Sequence, residues 1–196
     1  MSITVPEAPN LSHTLCVLLS GKAGVGKTRS ADVMDRVAND MGLNVCRASF
    51  AHKVKEAGFY IGWDGVKDAR GRALLQSIGK AGRAYDQDLW VRETFNTVSD
   101  TPYYPYDVVI IDDWRFNNEY FYIKNKEPLY KVRTVRIVAP ARETLIGTPE
   151  YEDVSETALD DFTFDWTVYN NGEHDNYVVD THLGSILKLC VAELTL

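Results

Sequence analysis

Residues 21–28 read GKAGVGKT and match the pattern G-x-x-x-x-G-K-[ST]. The glycines let successive backbone N–H groups turn inward around a chain of phosphates. A short apolar run at 14–19 precedes this stretch, and an amphipathic segment at 28–41 follows it. The loop therefore lies between a strand and the N-terminus of a helix, whose partial positive charge favours anions. This combination predicts a site for the phosphates of a nucleotide and argues against a chance glycine-rich turn.

The positions within the loop have distinct predicted roles. Lys27 is expected to reach the β- and γ-phosphates of ATP, and the hydroxyl of Thr28 is expected to bind Mg²⁺. The predicted nucleotide contacts are Gly21, Ala23, Gly24, Val25, Gly26, Lys27, Thr28 and Arg29.

A second acidic signal follows the apolar run DVVII at 107–111, where the chain continues with Asp112 and Asp113. A strand that is buried on both faces would place these carboxylates beside the phosphate loop, at the carboxyl edge of a parallel sheet. One of them is expected to hold Mg²⁺ directly or through water. Asp113 is favoured, because it opens the run D-x-R-F, and Asp112 is the alternative. A reading in which both carboxylates cap the following helix also stays open.

The order of apolar and amphipathic segments predicts an α/β fold. The expected strands lie at 14–19, 44–50, 107–111, 132–138 and 164–169. The expected helices lie at 28–41, 51–59, 67–84, 87–97, 116–126, 156–162 and 182–194. Strands that alternate with helices indicate a parallel sheet in a three-layer domain. The chain of 196 residues is expected to form a single domain.

Composition excludes several classes of protein. The net charge of −7 makes broad binding to a nucleic-acid polymer unfavourable. No apolar run approaches the roughly 18 residues of a membrane span, and no signal peptide is evident, so a cytoplasmic protein is expected. Cys16, Cys46 and Cys190 are an odd number without metal-ligand spacing. Cys16 and Cys46 are expected to be buried thiols in a reducing compartment.

The remaining motifs separate this chain from other nucleotide-binding classes. The D-x-x-G at 68–71 lies in a polar segment, and Asn125-Lys126 is not followed by a base-reading aspartate, so a GTPase is disfavoured. A motor ATPase usually needs a larger chain.

Arg83 and Arg115 each lie at the boundary of an element and are candidates to bind a second anion, because guanidinium groups bind phosphate bidentately.

The ordered set of motifs resembles the phage-type deoxynucleoside monophosphate kinases, which belong to the P-loop nucleoside monophosphate kinases. The resemblance runs from the phosphate loop to about Gly172. Its motifs are, in order, residues 21–28, Phe50-Ala51 with Lys55, residues 62–65 with Lys67-Asp68, Gly71-Arg72, residues 74–76, Gly79, Gly82-Arg83, Asp88 with Trp90-Val91, residues 112–116 with Asn118-Glu119, residues 155–157, residues 159–162 and Phe164-Asp165. Residues 113–119 match the family's D-x-R-F-x-N-E signature.

The resemblance implies transfer of the γ-phosphoryl group of ATP to a deoxynucleoside 5′-monophosphate, with Mg²⁺. It implies a P-loop kinase core at about 14–50 and 107–196, a helical acceptor-binding insertion at about 51–106 and a mobile lid at about 141–155. The implied catalytic residues are Lys27, Asp113, Arg115 and Arg142. The implied substrate-binding residues are Lys55, Arg83, Trp90, Arg115, Asn118, Glu119 and Glu156. The implied metal ligands are Thr28, Asp112 and Asp113.

Some questions stay open at the level of sequence. Where family members often have Asp-Pro this chain has His52-Lys53, and where many have His-x-Ser-Glu it has residues 153–156, DVSE, so the accepted base is not determined. Of the aromatic residues Tyr60, Trp63, Tyr85 and Trp90, one or two are expected to stack on that base. Formation of a homodimer is left open, and the compartment would be the host cytoplasm for a phage protein.

Two other functions remain as alternatives. One is a P-loop kinase of another small acceptor, such as dephospho-coenzyme A or shikimate. The other is a regulatory module that binds ATP without turnover, against which the presence of Lys27, Thr28, Asp113 and Arg115 argues.

Overall fold

The fold is built on a parallel sheet of five strands. The computed structural model describes residues 8–99, 106–126, 129–140, 153–171 and 176–195. The strands are β1 (Thr14–Ser20), β2 (Val45–Ala48), β3 (Val108–Ile111), β4 (Tyr130–Val138) and β5 (Trp166–Tyr169). Their order across the sheet is β2-β3-β1-β4-β5, and every neighbouring pair is parallel. This arrangement confirms the predicted α/β class.

The helices fall close to their predicted positions, with two exceptions. They are α1 (Lys27–Asp40), α2 (Phe50–Tyr60), α3 (Ala69–Tyr85), α4 (Leu89–Ser99), α5 (Asn117–Lys124), α6 (Val154–Thr157) and α7 (Asn176–Ala192). Helix α7 begins six residues before the predicted start at His182, because Tyr177, Val178 and Val179 in its first turns are consecutive apolar residues without helical spacing. Helix α6 is a single turn whereas the pattern predicted 156–162. It begins two residues before the predicted start, because the Asp153 side chain caps it there by accepting from the N–H of Ser155.

The sheet is covered on both faces. Leu15, Val17 and Leu19 of β1 point into a core formed with α1 and α7. Cys16 and Leu18 point the other way, into a core with α4 and α5. All four residues of β3 are fully buried, because this strand is also covered on both sides, and the prediction from its unbroken apolar run is confirmed.

The predicted burial of the cysteine thiols agrees in part with the structure. Cys16 and Cys190 are buried and Cys46 is half-buried, so the prediction of burial is right for Cys16 and only partly so for Cys46.

In the described part of the chain, the helices lack the length and apolar character that a membrane crossing needs.

Three helices between β2 and β3 form a layered unit beside the sheet. Helix α2 packs against α3 and α4. The contact between α3 and α4 is close at Gly82, where a Cβ would lie 2.3 Å from Cζ2 of Trp90. The indole is fixed there, since its Nε1–H donates to the carbonyl of Gly79 at 3.0 Å. A glycine at position 82 therefore sets the distance between the two helices.

We expect Gly82→Ala to lower the free energy of unfolding by about 1–3 kcal/mol, because the added methyl group overlaps an indole that cannot turn away. Gly184→Ala is the matched control, since its Cβ would meet Val37 at 3.4 Å, an ordinary contact, and alanine favours a helix. Urea denaturation of both variants measures the difference. Equal stability of the two variants would contradict the packing described here.

Candidate active site

The phosphate loop has a shape that requires glycine at two positions. At Gly21, with φ +153°, a Cβ would lie 2.4 Å from the carbonyl oxygen of Ile137 on β4. Gly26 has φ +98° and directly precedes α1, so the chain turns there in the left-handed region. The loop and the helix N-terminus thus form the anion-binding concavity that the motif predicts.

A residue that sequence analysis did not single out supports this loop from behind. Asn170, directly after β5, is buried, and its Nδ2 donates to the carbonyl of Val25 at 2.8 Å. The same amide lies 2.6 Å from where a Cβ on Gly26 would stand. In the sequence, Asn170 reads only as part of the polar stop after the last strand.

Lys27 lies inside the loop. Its Nζ donates to the carbonyls of Gly21 and Lys22, at 2.7 and 2.9 Å. Burial and, to a smaller degree, the nearby Arg115 lower the pKa of Lys27 to about 8. Arg29, predicted as a nucleotide contact, has its guanidinium in an ion pair with Asp180 of α7 at 2.8 Å.

The two carboxylates that follow β3 have different surroundings. Asp113 accepts from the Ser49 hydroxyl at 2.7 Å and from the N–H groups of Phe50 and Ala51 at 3.0 and 2.8 Å. It therefore holds the beginning of α2, whereas the capping alternative had placed such a contact on the following helix, α5. Burial raises the pKa of Asp113, and these donors oppose that rise.

Asp112 has the weaker set of partners. It forms an ion pair with Arg47 at 3.3 Å, and Arg47 is also bound to Asp32 at 2.8 Å. The hydroxyl of Thr28 makes no hydrogen bond to the part of the chain that the structure describes. Within that part, no group of three His, Cys, Asp or Glu side chains is arranged to hold a metal ion. Thr28 with Asp112 thus fits a metal held partly by phosphate oxygens better than Asp113 does.

A cleft of about 250 Å³ lies beside the loop, between α2, α3, α4 and the turn after β3. This volume is near the lower end of the range for small-molecule sites. Its apolar lining is Phe50, Val54, Leu75, Trp90 and Phe116. Its charged lining is Lys55, Lys80, Arg83, Asp113, Arg115, Glu119 and Asp153. The predicted residues Lys55, Arg83, Trp90, Arg115 and Glu119 therefore share one cleft.

The cleft carries positive charge without a partner. The guanidinium of Arg83 stacks on the ring of Phe116, 4.3 Å from its centroid. Within the described ranges, neither Arg83 nor Lys55 forms a hydrogen bond or an ion pair. Lys80, by contrast, is bound to Asp153 at 3.3 Å. An anion entering the cleft would thus meet two unengaged cations.

Of the four aromatic candidates for base stacking, Trp90 lines the cleft. Tyr60 and Tyr85 are 93% and 86% exposed, and Trp63 is buried with its Nε1–H on the carbonyl of Val66. Trp90 therefore keeps its predicted role as the base-stacking candidate, although its indole is also a packing contact of α3.

Solved structures share this architecture. No protein-family model and no curated protein sequence matches the chain. A shikimate kinase from Aquifex aeolicus superposes with a TM-score of 0.50 at 17% identity, over 90% of this chain and 98% of that one. A shikimate kinase from Acinetobacter baumannii in complex with shikimate gives 0.48 at 12% identity, over 91% and 95%. The chain has the P-loop kinase fold.

Within this P-loop kinase fold, two further predicted residues lie outside the cleft lining. Asn118 donates to the carbonyl of Gln87 at 2.8 Å and to Asp88 at 3.0 Å, so it ties α5 to the turn before α4. Glu156 is buried beside the phosphate loop, where its Oε2 accepts from the N–H of Ala23 at 2.9 Å. The polar side chains of both residues are therefore bound to other parts of the protein and do not line the cleft. Arg142 and positions 141–152 of the predicted lid lie outside the described residues.

Glu119 holds the turn after β3 at the back of the cleft. One of its carboxylate oxygens accepts from the N–H groups of Arg115 and Phe116, both at 3.0 Å. The residue is buried, and burial raises the pKa of its carboxyl to about 8. The acid is thus placed where it orients two residues of the cleft.

The raised pKa of Glu119 predicts a pH-dependent stability. The folded protein binds this proton more tightly than the unfolded chain, whose carboxyl titrates near 4.5. The free energy of unfolding should therefore fall as pH rises from about 4.5 to about 8, relative to Glu119→Gln, which keeps the acceptor oxygen and does not titrate. Urea denaturation at pH 5 and pH 8 tests this, and parallel pH profiles of the two proteins would contradict it.

Proposed function

We propose that the protein transfers the γ-phosphoryl group of ATP to the phosphate of a nucleoside 5′-monophosphate, with a deoxynucleotide as the expected acceptor. The observation that carries this proposal is the unpaired guanidinium of Arg83, stacked on Phe116 in a cleft beside the phosphate loop. A charged group placed there without a hydrogen-bond or ion-pair partner in the described part of the chain is suited to an anionic ligand.

The shape of the cleft supports a nucleotide as acceptor. Trp90 and Phe116 offer flat apolar surface, and Lys55 and Arg83 offer charge, within one cleft. A nucleoside monophosphate combines a planar ring with a phosphate, so it can use both kinds of surface. A small hydroxy acid has no aromatic ring and would leave the apolar walls without a partner.

The donor nucleotide would occupy the loop at 21–28. Its phosphates would replace the carbonyls of Gly21 and Lys22 as partners of the Lys27 ammonium. Thr28 and Asp112 would hold Mg²⁺, which neutralises charge on the phosphates when it is bound.

In this proposal no side chain of the protein forms a covalent bond with the transferred phosphoryl group. Phosphoryl transfer passes through a loose transition state, so catalysis depends on alignment and on stabilising charge. Arg83, Lys55 and Arg115 would bind the acceptor phosphate. Because Arg115 also lies near Lys27 of the loop, it would meet charge on the moving group as well. Arg142 and the lid segment at 141–152 would close the site and exclude water. Positions 153–155 of the predicted lid instead begin α6, where Asp153 is bound to Lys80.

A second candidate is a kinase of another small anionic acceptor. Lys55 and Arg83 would bind a carboxylate as well as a phosphate, and the fold is shared with a shikimate kinase. Shikimate and dephospho-coenzyme A therefore belong in the same experiment as the nucleotides.

We expect the protein to release ADP from ATP in an acceptor-dependent way with at least one deoxynucleoside monophosphate. A coupled assay with a panel of deoxynucleoside and nucleoside monophosphates, shikimate and dephospho-coenzyme A measures this. Turnover with shikimate or dephospho-coenzyme A alone would replace the proposal by the second candidate. ATP binding without turnover on any acceptor would indicate a regulatory module.

We expect Arg83→Ala to lower kcat/KM for the acceptor by roughly 10²–10³, because a charge-stabilising donor is lost. The dissociation constant for ATP should stay within about twofold, since Arg83 lies in the acceptor cleft. Arg92→Ala is the control: Arg92 pairs with Asp86 at 2.5 Å on α4, outside the cleft lining. An equal loss in both variants would show that Arg83 has no specific role.

A further inference from the structure

A single buried carboxylate joins the phosphate loop to an arginine of the acceptor cleft. Glu156 lies on α6, and its side chain is 6% exposed. Its Oε2 accepts from the N–H of Ala23 in the loop at 2.9 Å, and its Oε1 forms an ion pair with Nη1 of Arg115. Because one oxygen binds the phosphate loop and the other binds Arg115, the carboxylate connects the loop to the cleft.

The turn that carries Glu156 is itself fixed in place. Lys22 of the loop donates to the backbone carbonyl of Glu156 at 2.7 Å and to Asp160 at 2.9 Å. At the other end of the turn, Asp153 is bound to Lys80 of α3 at 3.3 Å. The carboxylate of Glu156 therefore has a rigid support, which a positioning group needs.

The donors of Arg115 are divided between the protein and the cleft. Nη1 donates to the carbonyl of Ser155 at 2.9 Å and to Glu156. A guanidinium carries five N–H donors, and the groups on Nη2 and Nε make no hydrogen bond to the described residues. Since Arg115 also lines the cleft, one side of its guanidinium is held and the other is left for a ligand.

We propose that Glu156 is a positioning residue that holds Arg115 for the acceptor phosphate, and that it does not itself bind substrate. This inference rests on the proposed function. The ion pair fixes one end of the guanidinium, so the remaining donors keep one orientation toward the cleft. Without the ion pair, the guanidinium of Arg115 would sample several orientations. The entropic cost of ordering it would then add to the activation free energy of the reaction.

The variant Glu156→Gln separates this role from a simple loop contact. The amide oxygen of glutamine can still accept from the N–H of Ala23, but its NH₂ group cannot pair with a guanidinium. We expect ATP affinity within about twofold of the wild type and a 10- to 100-fold lower kcat with the acceptor. Glu193→Gln is the matched control, because it removes the acid of the Arg133–Glu193 pair at 2.5 Å, between β4 and the end of α7.

A second readout does not depend on activity. In ¹⁵N-labelled protein the clamped guanidinium should give separate Nη1 and Nη2 resonances, assigned by their loss in Arg115→Lys. We expect these signals to merge in Glu156→Gln and to stay separate in Glu193→Gln, with all proteins folded by circular dichroism.

The outcomes distinguish the inference from the proposed function. Merged signals in Glu156→Gln support the positioning role, even if no acceptor of the panel is phosphorylated and the proposed function fails. Signals that stay separate in this variant, or that are already merged in the wild type, overturn it. An active enzyme whose kcat is unchanged by Glu156→Gln overturns it as well, and tighter ATP binding in this variant would show that the carboxylate opposes the nucleotide instead.

Discussion

The close approach of β4 and the chain after β5 to the phosphate loop is the constraint on which the site depends. The carbonyl of Ile137 and the amide of Asn170 occupy the space that side chains at 21 and 26 would need. The chain can therefore pass these two positions only as glycine, and the turn of its backbone forms a concavity suited to an anion. The shape of the phosphate loop thus depends on β1, β4 and β5 together, and not on the local sequence motif alone.

The acidic residues near this concavity serve different purposes despite their proximity. Asp113 holds the beginning of α2, Glu119 holds the turn after β3, and Glu156 bridges the loop and Arg115. Each of the three accepts at least one hydrogen bond from a backbone N–H group. At Asp113 and Glu119 these bonds offset part of the rise in pKa that burial causes. Among the cations of the cleft, Lys80 and Arg115 are paired with acids, whereas Lys55 and Arg83 have no hydrogen-bond or ion-pair partner among the described residues. A site whose acids are engaged, and in which two cations have no acid partner among the described residues, is suited to negatively charged ligands.

Sequence analysis could reach the parts of the fold that depend on local patterns. The loop at 21–28, the buried β3 and most of the helices follow from motif and periodicity. The partner of Asp113 could not be predicted, because it lies on α2, distant along the chain, and the pattern suggested only a helix nearby. Asn170 was missed for the same reason, since its contact with Val25 exists only after β5 has joined the sheet. The start of α7 was missed because Tyr177, Val178 and Val179 are consecutive apolar residues without helical spacing.

The contact between Asp113 and α2 also bears on how the cleft can change its width. Three hydrogen bonds join this helix to the end of a central strand, so α2 cannot swing outward without breaking all of them at once. This wall behaves as an extension of the rigid sheet. The opposite wall, formed by α3, meets α2 through side-chain packing such as Leu75 against Gly58. A change in the width of the cleft thus falls to the outer helix, α3, more readily than to α2.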